Sequence, residues 1–586
     1  MPHHLGFFTI KKMVKISKRT TFVYNNPILK YMIKVTCTNN QKTETVKAGS
    51  SLLEIFYSID CNLKYRPLCA TINNKAKSLN TRLYDNVDIH YFDITSAIGK
   101  KTYLLGLFFI LSKVIEELYP NGKVEMANSI SKGTYCPVHI GRALTEDDIL
   151  AINNRTQEII DSAIPFVRHR EHTEAVIEMM EQKGRTDLVR LLKTTGKIYT
   201  TYYTLEDNAD FFFGTLPPDT SFIHLYGIEL YGNGVLLRFP DSKNPSQLRE
   251  RTVQDKMFKI FDEFHSWQKI LGISTLGDLN LATSTGHSNM IINIAEALQS
   301  NKIVHIADAI VERHKKNNLL KLIMISGPSS SGKTTFSKRL QVQLLANGIN
   351  PKVLSMDDYF LGRERTPKDE NGDYDFESLY AIDLELFNSQ LKDLLAGKEV
   401  NTPTFNFKKG GVREYNGNIL KLGENDVLLI EGIHALNPDL MPEIPAEAKF
   451  LIYVSALTSI RLDKHNYIPT TDNRLLRRML RDYKYRQFSA KDTIARWASV
   501  RAGEEKWIFP YQENADVMFN SATLFEIAVI KDMIEPILSE VPQNCPEYTK
   551  AEELKKLLSM FNTIPSQNLP PTSLVREFIG GSSFHY

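Results

Sequence analysis

The residues best suited to chemistry lie in a short glycine- and serine-rich stretch that begins at Gly327. The run Gly-Pro-Ser-Ser-Ser-Gly-Lys-Thr over 327–334 matches the spacing GxxxxGK[ST]. In that spacing glycines let backbone N–H groups turn onto phosphates, the lysine reaches the β- and γ-phosphates, and the threonine hydroxyl is a ligand of Mg²⁺. We therefore expect ATP and Mg²⁺ as cofactors, held by Gly327, Ser329, Ser330, Ser331, Gly332, Lys333, Thr334 and Thr335.

Two acidic positions follow apolar runs further along the chain. Asp357 comes shortly after Val353-Leu, and Glu431 ends the run Val427-Leu-Leu-Ile. Ligands of an open parallel sheet bind at the carboxyl ends of its strands, so a carboxylate there can take a proton from an acceptor hydroxyl or contact Mg²⁺. Asp357 alone is equally typical of a turn or a helix cap, whereas Glu431 holds a usual position for an acid that binds Mg²⁺ or water. The expected metal ligands are Thr334, Asp357 and Glu431.

A basic segment supplies a third kind of group. Arg474, Arg477, Arg478 and Arg481 are spaced three and four apart, which puts them on one face of a helix. Planar guanidinium groups bind phosphate and can neutralise charge in a phosphoryl-transfer transition state. The same spacing is also typical of a solvated charged surface or of an RNA-binding strip.

The elements that must position these groups are predicted by hydrophobic patterning. Short apolar runs at 322–325, 353–354, 427–430 and 450–454 alternate with helical segments. This is the pattern of parallel strands buried on both faces in an α/β domain. In the helix predicted after the phosphate loop, the apolar residues on one face are Phe336, Leu340 and Leu344. We expect a P-loop parallel-sheet domain over 319–540, then a C-terminal helix and tail over 541–586, with 565–586 as loop.

The front half is predicted to contain smaller units. Residues 1–31 hold six lysines and arginines and no acid, which favours a basic, disordered tail over a transit peptide. Residues 32–95 alternate strand, turn and helix signals, with a helix opened by Ser50 or Ser51. Residues 96–240 mix helices and strands and include a helix capped by Thr145, and residues 241–318 predict a helical linker.

Composition excludes several classes of protein. The chain has 586 residues, of which 42% are apolar and 24% charged, with a net charge of +3. These values exclude a collagen, a coiled-coil rod and a mostly disordered chain, and the length suggests three or four domains. Without the basic tail the chain is slightly acidic, and the sequence shows no basic strip interleaved with aromatic residues.

Cysteine, histidine and apolar runs limit the remaining options. Five cysteines without a CxxC pair argue against a disulfide scaffold and fit a reducing compartment, so we expect a cytoplasmic protein. His169 with His172, and Cys136 with His139, lack the further ligands that zinc needs. The apolar run Tyr103–Leu111 has nine residues, against roughly 20 for a membrane-spanning helix. It predicts a buried helix and no membrane partner.

Six pieces, in order, resemble the uridine kinase and phosphoribulokinase family. Besides the phosphate loop they are Ser355-Met-Asp-Asp-Tyr-Phe, Tyr374-Asp-Phe-Glu-Ser-Leu-Tyr, Pro403-Thr-Phe-Asn-Phe, Leu429-Ile-Glu-Gly-Ile-His and Asn473-Arg-Leu-Leu-Arg-Arg-Met-Leu-Arg-Asp. The resemblance implies that Asp357 is the catalytic carboxylate, aided by Lys333, and that Glu431 is a second Mg²⁺-associated acid. It further implies a ribose-binding pair Asp375 and Arg474, aromatic residues Phe405 and Phe407 against the base, and lid arginines Arg477, Arg481 and Arg486.

Two departures from that family concern the acceptor. Uridine kinases carry a histidine shortly after the aromatic pair, whereas here Lys408, Lys409 and two glycines follow. A longer insert, Ala456 to Asp472, precedes the arginine helix. These differences leave uridine open as the substrate but do not affect ATP and Mg²⁺.

The front half resembles parts of tRNA synthetases. Residues 32–95, with Tyr65-Arg-Pro-Leu-Cys-Ala-Thr-Ile, are similar to a β-grasp-like TGS domain. Residues 96–240, with Ser129-Ile-Ser-Lys-Gly-Thr-Tyr-Cys, are similar to the α+β second additional, editing-type domain of threonyl- and alanyl-tRNA synthetases. The helix around Phe108 lacks the HxxxH of that family, and Asp210-Phe-Phe-Phe-Gly-Thr stands at the later ligand segment, so the hydrolytic site is expected to be absent.

The sequence as a whole predicts a multidomain α/β and α+β protein. The first hypothesis is an ATP- and Mg²⁺-dependent kinase that acts on a small-molecule hydroxyl, the 5′-hydroxyl of a nucleoside such as uridine or cytidine. The alternatives are an RNA- or ribosome-associated P-loop ATPase, with RNA bound by the front half, and a kinase of a sugar phosphate. A homo-oligomer is compatible with all three.

Overall fold

The computed structural model describes residues 31–316, 319–369, 372–406 and 411–585. The predicted basic tail lies outside these ranges except for Tyr31, and so does Phe407. In the described part of the chain no helix has the length and apolar character needed to cross a membrane.

Residues 32–92 form a five-stranded sheet with one helix. The elements are β1 (Met32–Cys37), β2 (Lys42–Lys47), α1 (Leu52–Ser58), β3 (Cys69–Ile72), β4 (Lys75–Lys77) and β5 (Val87–Phe92). The strand order is β2-β1-β5-β3-β4, with β1 and β5 parallel and the other pairs antiparallel. Ser51 caps α1 by accepting a hydrogen bond from the N–H of Glu54. These elements confirm the predicted strands and the predicted helix start.

The next region contains two sheets and four helices. Its elements are α2 (Ala97–Leu118), β6 (Lys123–Val124), β7 (Asn128–Ile130), β8 (Gly133–His139), α3 (Glu146–Asp161), β9 (Phe166–His172), α4 (Thr173–Gln182), α5 (Thr186–Thr195), β10 (Tyr199–Leu205), β11 (Asn208–Asp210), β12 (Gly227–Tyr231) and β13 (Gly234–Arg238). One sheet has the order β12-β13-β8-β6, with β7 also on β8, and the other has the order β11-β10-β9. Thr145 and Asp148 form the predicted capping box of α3.

The apolar run Tyr103–Leu111 is buried within α2, as predicted. It packs in one continuous hydrophobic core with residues of the first sheet, including Val35 and Ile89. The first two regions therefore share one hydrophobic core.

Three helices lead to the C-terminal domain. They are α6 (Asp255–Leu271), α7 (Leu276–Ser284) and α8 (Ser288–Lys316). The connection between the last two is short, because α7 continues to Ser284 and α8 starts at Ser288.

The C-terminal region is built on a parallel sheet. Its elements are β14 (Leu322–Ser326), α9 (Lys333–Ala346), β15 (Asn350–Ser355), α10 (Leu384–Leu395), β16 (Val400–Asn401), β17 (Thr404–Asn406), β18 (Val412–Glu414), β19 (Ile419–Leu420), β20 (Asp426–Glu431), β21 (Lys449–Ser455), β22 (Arg461–Asp463), β23 (Asn466–Tyr467), α11 (Thr470–Arg486), α12 (Ala490–Trp507), β24 (Val517–Asn520), α13 (Glu526–Ser539), α14 (Glu547–Leu558) and α15 (Arg576–Ile579). Five strands pair in parallel in the order β15-β20-β14-β21-β24.

The sheet is covered on both faces, as its apolar runs predict. On β14, Ile323 and Ile325 pack with Phe336 of α9, and Leu322 and Met324 face the core on the opposite side. A strand buried on both faces has no polar side to show, which is why its sequence is a continuous apolar run.

The tail differs from its prediction as loop. Leu574 is fully buried in the core with α9, and Phe578 of α15 is 1% exposed. We call residues 565–585 the C-terminal strap, because they lie across both α9 and α11. The sequence prediction failed here because Pro570-Pro571 and Gly580-Gly581 are typical of loops, while the burial depends on surfaces supplied by distant helices.

Candidate functional site

The phosphate loop connects β14 to α9 at the carboxyl edge of the sheet. A Cβ atom at Gly327 would lie 1.9 Å from the carbonyl oxygen of Val454, so only glycine fits there. Gly332 has a φ of +82°, in the left-handed region that favours glycine. The loop therefore passes tightly against β21 and brings its backbone N–H groups to the N-terminus of α9, where anions bind.

Lys333 lies across this loop. Its Nζ donates to the carbonyl oxygens of Gly327 and Pro328 at 2.9 and 3.2 Å. Burial lowers the pKa of Lys333, and four carboxylates oppose that shift: Glu431, Asp357, Glu577 and Glu377. One ammonium among four acids is an arrangement in which further cations, such as a divalent ion, would be stabilised.

Two serine hydroxyls of the loop lack partners. Ser330 Oγ and Ser331 Oγ are buried without a hydrogen bond. Buried polar groups in native proteins are almost always paired, so orphaned hydroxyls in a phosphate loop fit a ligand with acceptor oxygens. These residues therefore fit the phosphate-binding role that the spacing predicts.

Two acids meet at neighbouring strand ends. Ser355 at the end of β15 is in register with Glu431 at the end of β20, which brings Asp357 to the same edge. Thr334 Oγ1 donates to Glu431 Oε1 at 3.1 Å, whereas Glu431 Oε2 is buried without a partner. Burial raises the pKa of Glu431 to about 7, while Lys333 opposes the shift and Asp357 adds to it.

These groups fit Mg²⁺ as a partner of phosphate. Within the described ranges no three His, Cys, Asp or Glu side chains are grouped so that they could hold a metal ion by themselves. Mg²⁺ characteristically takes one or two carboxylates and completes its shell with water and substrate phosphates. The paired Thr334 and Glu431, with Asp357 at the same edge, offer that kind of incomplete ligand set.

Glu377 is an acid of the site that sequence reasoning missed. Its Oε2 is buried without a partner. Burial raises its pKa to about 7, Glu504 adds to the shift, and Arg478, Lys333 and Arg474 oppose it.

The acid predicted in this segment was Asp375. Its backbone N–H donates to Pro367 at 2.8 Å, and its side chain has no hydrogen bond or ion pair with the described residues. Tyr374-Asp-Phe-Glu contains two acids two residues apart, and only the burial of the second distinguishes them.

Arg474 is placed differently from the predicted partner of Asp375. It is 1% exposed, and its Nε and Nη2 donate to the carbonyl oxygen of Ser329 at 3.0 and 2.9 Å. Its Nη1 donates to Glu504 Oε2 at 3.0 Å. The guanidinium thus fixes the backbone of the phosphate loop from behind, because a buried arginine needs both a counter-charge and several acceptors.

Arg477 likewise differs from the predicted lid arginine. It is fully buried and paired with Glu526, to which its Nη2 donates at 2.7 Å. Its Nη1 donates to Ser521 Oγ at 3.0 Å, and Ser521 in turn donates to the carbonyl oxygen of Ser331. Arg474 and Arg477 together hold the loop, and the sequence could not separate them from ligand-facing arginines because all lie within one basic helix.

The next three arginines of the segment surround one carboxylate. Arg478 donates to Asp482 at 3.2 Å and to Ser329 Oγ at 2.9 Å. Arg481 donates to Asp482 at 3.1 Å, and Arg486 lies 3.6 Å from it. Three cations on one acid leave an excess of positive charge, which fits phosphate.

The pKa of Arg486 is shifted by burial and by the nearby arginines. Burial lowers it to about 10, and the nearby Arg481 adds to the shift, while Asp482 opposes it. Arg478 was noted in the basic helix but not included among the predicted site residues. Its contact with Ser329 of the phosphate loop is the signal that identifies it.

Phe405 lies on β17 and contacts Asp358, the acid that follows Asp357 in the sequence. Its backbone N–H donates to Asp358 Oδ1 at 3.0 Å, and its ring lies 5.9 Å from that of Phe360. Asp358 is thus used by the backbone, which leaves Asp357 as the acid available at this strand end. The prediction for Phe407 falls outside the described residues.

The insert before α11 contains a hairpin of β22 and β23. This hairpin contacts the region that runs from α2 to β13. His465 contacts Asp210, and its ring meets that of Phe108 edge-on at 5.2 Å. Asn466 Nδ2 donates to the carbonyl oxygen of Phe211 at 3.0 Å. The hairpin therefore contacts both of the segments at which the resemblance would place an editing site.

A group of buried charges forms around this hairpin. Arg185 donates to Asp210 Oδ1 at 2.6 Å and to Asp463 Oδ1 at 3.2 Å, and pairs with Asp187 at 3.2 Å. We call Arg185, Asp187, Asp210, Asp463 and His465 the interface cluster.

Three of the other histidines and cysteines considered as metal ligands have packing roles. His169 stacks on Tyr202 at 5.0 Å, and His172 lies 4.5 Å from the ring of Tyr199. Cys136 is fully buried in the hydrophobic core.

Parts of this chain are similar to known proteins. Residues 322–528 match the model of the Phosphoribulokinase / Uridine kinase family. A uridine kinase of Ureaplasma parvum is 27% identical over 197 residues, 33% of this chain and 86% of the relative. A D-glycerate 3-kinase structure from Cryptococcus neoformans covers 48% of this chain and 90% of its own, at 13% identity and a TM-score of 0.21.

The front part has a different relative. The threonine–tRNA ligase of Azobacteroides pseudotrichonymphae is 26% identical over 194 residues, 33% of this chain, in its N-terminal part. This chain spans 30% of the length of that ligase. The family match covers the region in which the sequence predicts the kinase domain, and it supports an ATP-dependent kinase there. The TGS assignment stays a prediction.

Proposed function

We propose that this protein transfers a phosphoryl group from ATP to the 5′-hydroxyl of a nucleoside such as uridine or cytidine. The observation that carries the proposal is the set of buried polar atoms without partners around Lys333: Ser330 Oγ, Ser331 Oγ, Glu377 Oε2 and Glu431 Oε2. Such atoms are costly unless a ligand pairs with them. Phosphate and hydroxyl groups have the chemistry to do so.

Each residue has a distinct role in this proposal. Asp357 accepts the proton of the acceptor hydroxyl, since it stands at the strand edge with its neighbour Asp358 already engaged. Thr334 and Glu431 hold Mg²⁺, which neutralises phosphate charge when it is bound. Lys333, Arg481 and Arg486 stabilise the charge on the moving phosphoryl group.

The acceptor's sugar is assigned to Glu377 with Arg478 in place of Asp375 with Arg474. Glu377 has a free acceptor oxygen, and the charge of Arg478 acts on it. Carboxylate and guanidinium together match the vicinal hydroxyls of a ribose, one as acceptor and the other as donor. A pentose phosphate shares such hydroxyls and adds an anion, so it is the competing acceptor.

The test is ATP consumption by the purified chain against nucleosides, pentose phosphates and pantothenate. We expect turnover with one nucleoside and its loss in Lys333→Ala. Turnover only with a sugar phosphate would replace the nucleoside by that acceptor. No turnover with any acceptor, with ATP hydrolysis rising only on addition of RNA, would refute the kinase proposal.

We propose RNA binding by the front half as a second candidate function. The sequence shows no basic strip with aromatic residues, but the fold brings cations of four segments together: Lys75, Lys77, Arg168, Lys197 and Lys556, with Arg170 on the same strand as Arg168. Burial lowers the pKa of Lys77, and the cations Arg168, Lys556 and Lys75 add to that shift. Arg170 lies over Tyr199 at 5.1 Å, and that ring is 47% exposed.

A charge-reversal comparison tests this second function. Lys77→Glu with Arg168→Glu should weaken RNA binding and reduce the slope of log K against log salt by roughly 1.4, for two lost phosphate contacts on a single strand. The matched control is Lys243→Glu with Lys259→Glu, two exposed lysines elsewhere. Equal RNA affinities for the two double variants would rule out the strip as the RNA-binding surface.

A further inference from the structure

The N-terminus of α9 already holds a carboxylate of the same chain. Glu577 Oε2 accepts from the backbone N–H of Thr335 at 3.1 Å and from Thr335 Oγ1 at 2.7 Å. Thr335 is the third residue of α9, and the first helical hydrogen bond of the helix is donated by the next residue, Phe336, to Gly332. The N–H that Glu577 takes is therefore one of the unpaired donors that a phosphate loop offers to an anion.

Contacts of the C-terminal strap on both sides of Glu577 hold this carboxylate at the N-terminus of α9. Leu574 is fully buried with Phe336 and Leu340 of α9 on one side of Glu577. On the other side, Phe578 packs under the guanidinium of Arg477 at 4.9 Å, and the carbonyl oxygen of Ile579 accepts from Lys484 Nζ at 2.8 Å. The strap thus ties the phosphate loop helix to the arginine helix α11.

The charge of Glu577 acts on the rest of the site. Glu577 is one of the four acids whose fields reach Lys333, and its field also reaches Glu431. A phosphate that approached Thr335 would meet a like charge on the same donors. It cannot take both hydrogen bonds of Thr335 while Glu577 keeps them.

We propose that Glu577 is an internal competitor for a nucleotide phosphate and that the C-terminal strap is an autoinhibitory segment. This inference rests on the proposed function, because it assumes that the loop binds a nucleotide. Binding exchanges one anion for another at Thr335, and release of Glu577 loosens the strap from α9 and α11. Nucleotide affinity is thereby coupled to the state of the C-terminal segment, since any contact that draws the strap away favours binding.

The test is equilibrium binding of a fluorescent ATP analogue with Mg²⁺ to the full chain. Glu577→Gln keeps the size of the side chain and removes its charge, and we expect nucleotide to bind roughly tenfold more tightly, the scale of one charge-assisted hydrogen bond. The matched control is Glu540→Gln, which makes the same change at an exposed acid bonded to Tyr483. It should leave the affinity unchanged.

A second measurement follows the strap itself. Hydrogen exchange at 574–580 in the wild-type chain should rise on addition of ATP and Mg²⁺. Unchanged or weaker affinity in Glu577→Gln, or greater protection of the strap with ATP, would overturn the inference. Those results leave the proposed function standing if Lys333→Ala still loses nucleotide. Absence of nucleotide binding in the wild type and in every variant would refute both.

Discussion

Two groups of buried charge in the described part of the chain differ in how completely their polar atoms are paired. The interface cluster around Arg185 joins the front half to the hairpin β22–β23. The second group, which we call the site group, consists of Lys333 and the four acids around it, Asp357, Glu377, Glu431 and Glu577. It lies at the carboxyl edge of the parallel sheet. In the described part of the chain, none of the side-chain polar atoms of the interface cluster is among the buried atoms without a partner. In the site group, by contrast, Glu377 Oε2 and Glu431 Oε2 are buried without a hydrogen-bond partner.

The pKa values of several of these acids show the same contrast between the two groups. Burial favours the neutral form of Asp187, but Arg185 overcomes it and holds the pKa at about 2. Burial raises the pKa values of Glu377 and Glu431 to about 7, and no cation compensates fully. Asp463 shows that the contrast is one of degree, because burial raises its pKa to about 6 even beside Arg185. Paired charges hold domains together, whereas unpaired ones mark where a ligand is needed.

We expect the largest difference between the two groups in the effect of a substitution on turnover. Asp357→Asn should lower kcat by roughly 10²–10⁴, because the acceptor hydroxyl loses its proton acceptor, while ATP still binds. The measurement is kcat together with the ATP dissociation constant. Asp426→Asn, at the opposite end of β20, is the matched control and should keep turnover near the wild-type value. Normal turnover in Asp357→Asn would remove this residue from the mechanism.

Breaking the interface cluster should instead cost stability. Arg185→Ala leaves Asp210 and Asp463 buried without their cation, and we expect a loss of about 3–5 kcal/mol in the free energy of unfolding. Urea unfolding measures it. Arg190→Ala is the control, because its pair with Asp278 leaves the arginine side chain 54% exposed, and such pairs contribute about 1 kcal/mol or less. Equal losses in the two variants would mean that the interface cluster adds nothing beyond a surface ion pair.

A smaller effect should separate the two acids of Tyr374-Asp-Phe-Glu. Glu377→Gln should raise the KM for the acceptor by roughly 10- to 100-fold, the loss expected when a charged hydrogen bond to a sugar hydroxyl is removed. Asp375→Asn should change it by no more than a few-fold. Steady-state kinetics with varied acceptor at saturating ATP gives both values. The reverse ranking would restore Asp375 as the sugar-binding acid.

The smallest effect concerns pH. The pKa of Glu377 is higher in the folded state, about 7, than its ordinary value of 4.5, so its contribution to stability is fully present below pH 4.5 and is lost as pH rises through 7. A tenfold difference in proton affinity between the folded and unfolded chain corresponds to about 1.4 kcal/mol of folding free energy. Asp187, with a depressed pKa, has the opposite sign and loses its contribution only as pH falls through about 2.

The free energy of unfolding between pH 5 and pH 8 tests this difference. Glu377→Gln should flatten the decline of stability with rising pH that the wild type shows without nucleotide. Asp187→Asn should leave the slope in that range unchanged, although the variant is less stable throughout. Parallel curves for the wild type and Glu377→Gln would contradict the raised pKa of Glu377.

The sequence predicted what depends on short spacing. The phosphate loop, the strands that are apolar along their whole length, the helix start at Ser50 or Ser51 and the cap at Thr145 each require only neighbouring residues to be in the right order. Glu431 was found because it directly ends such a strand. These features survive in the structure because local geometry alone determines them.

What the sequence missed depends on approach between distant segments. Arg474 and Arg478 are one helical turn apart, and only their contacts with Glu504 and with the side chain of Ser329 show which of them faces the site. The basic strip draws on β4, β9, the α5–β10 connection and α14, and no window of sequence contains all four. The strap was missed for the same reason, since its acid meets Thr335 across 242 positions.

The hairpin β22–β23 has a further consequence for how the chain unfolds. It is covalently continuous with α11, which carries the arginines, yet its polar groups pair with Glu125, Asp187 and Asp210. Heat that melts the front half would strand those charges, and the arginine helix would lose its anchored start. We therefore expect the front half and the phosphate site to melt together, in a single calorimetric transition.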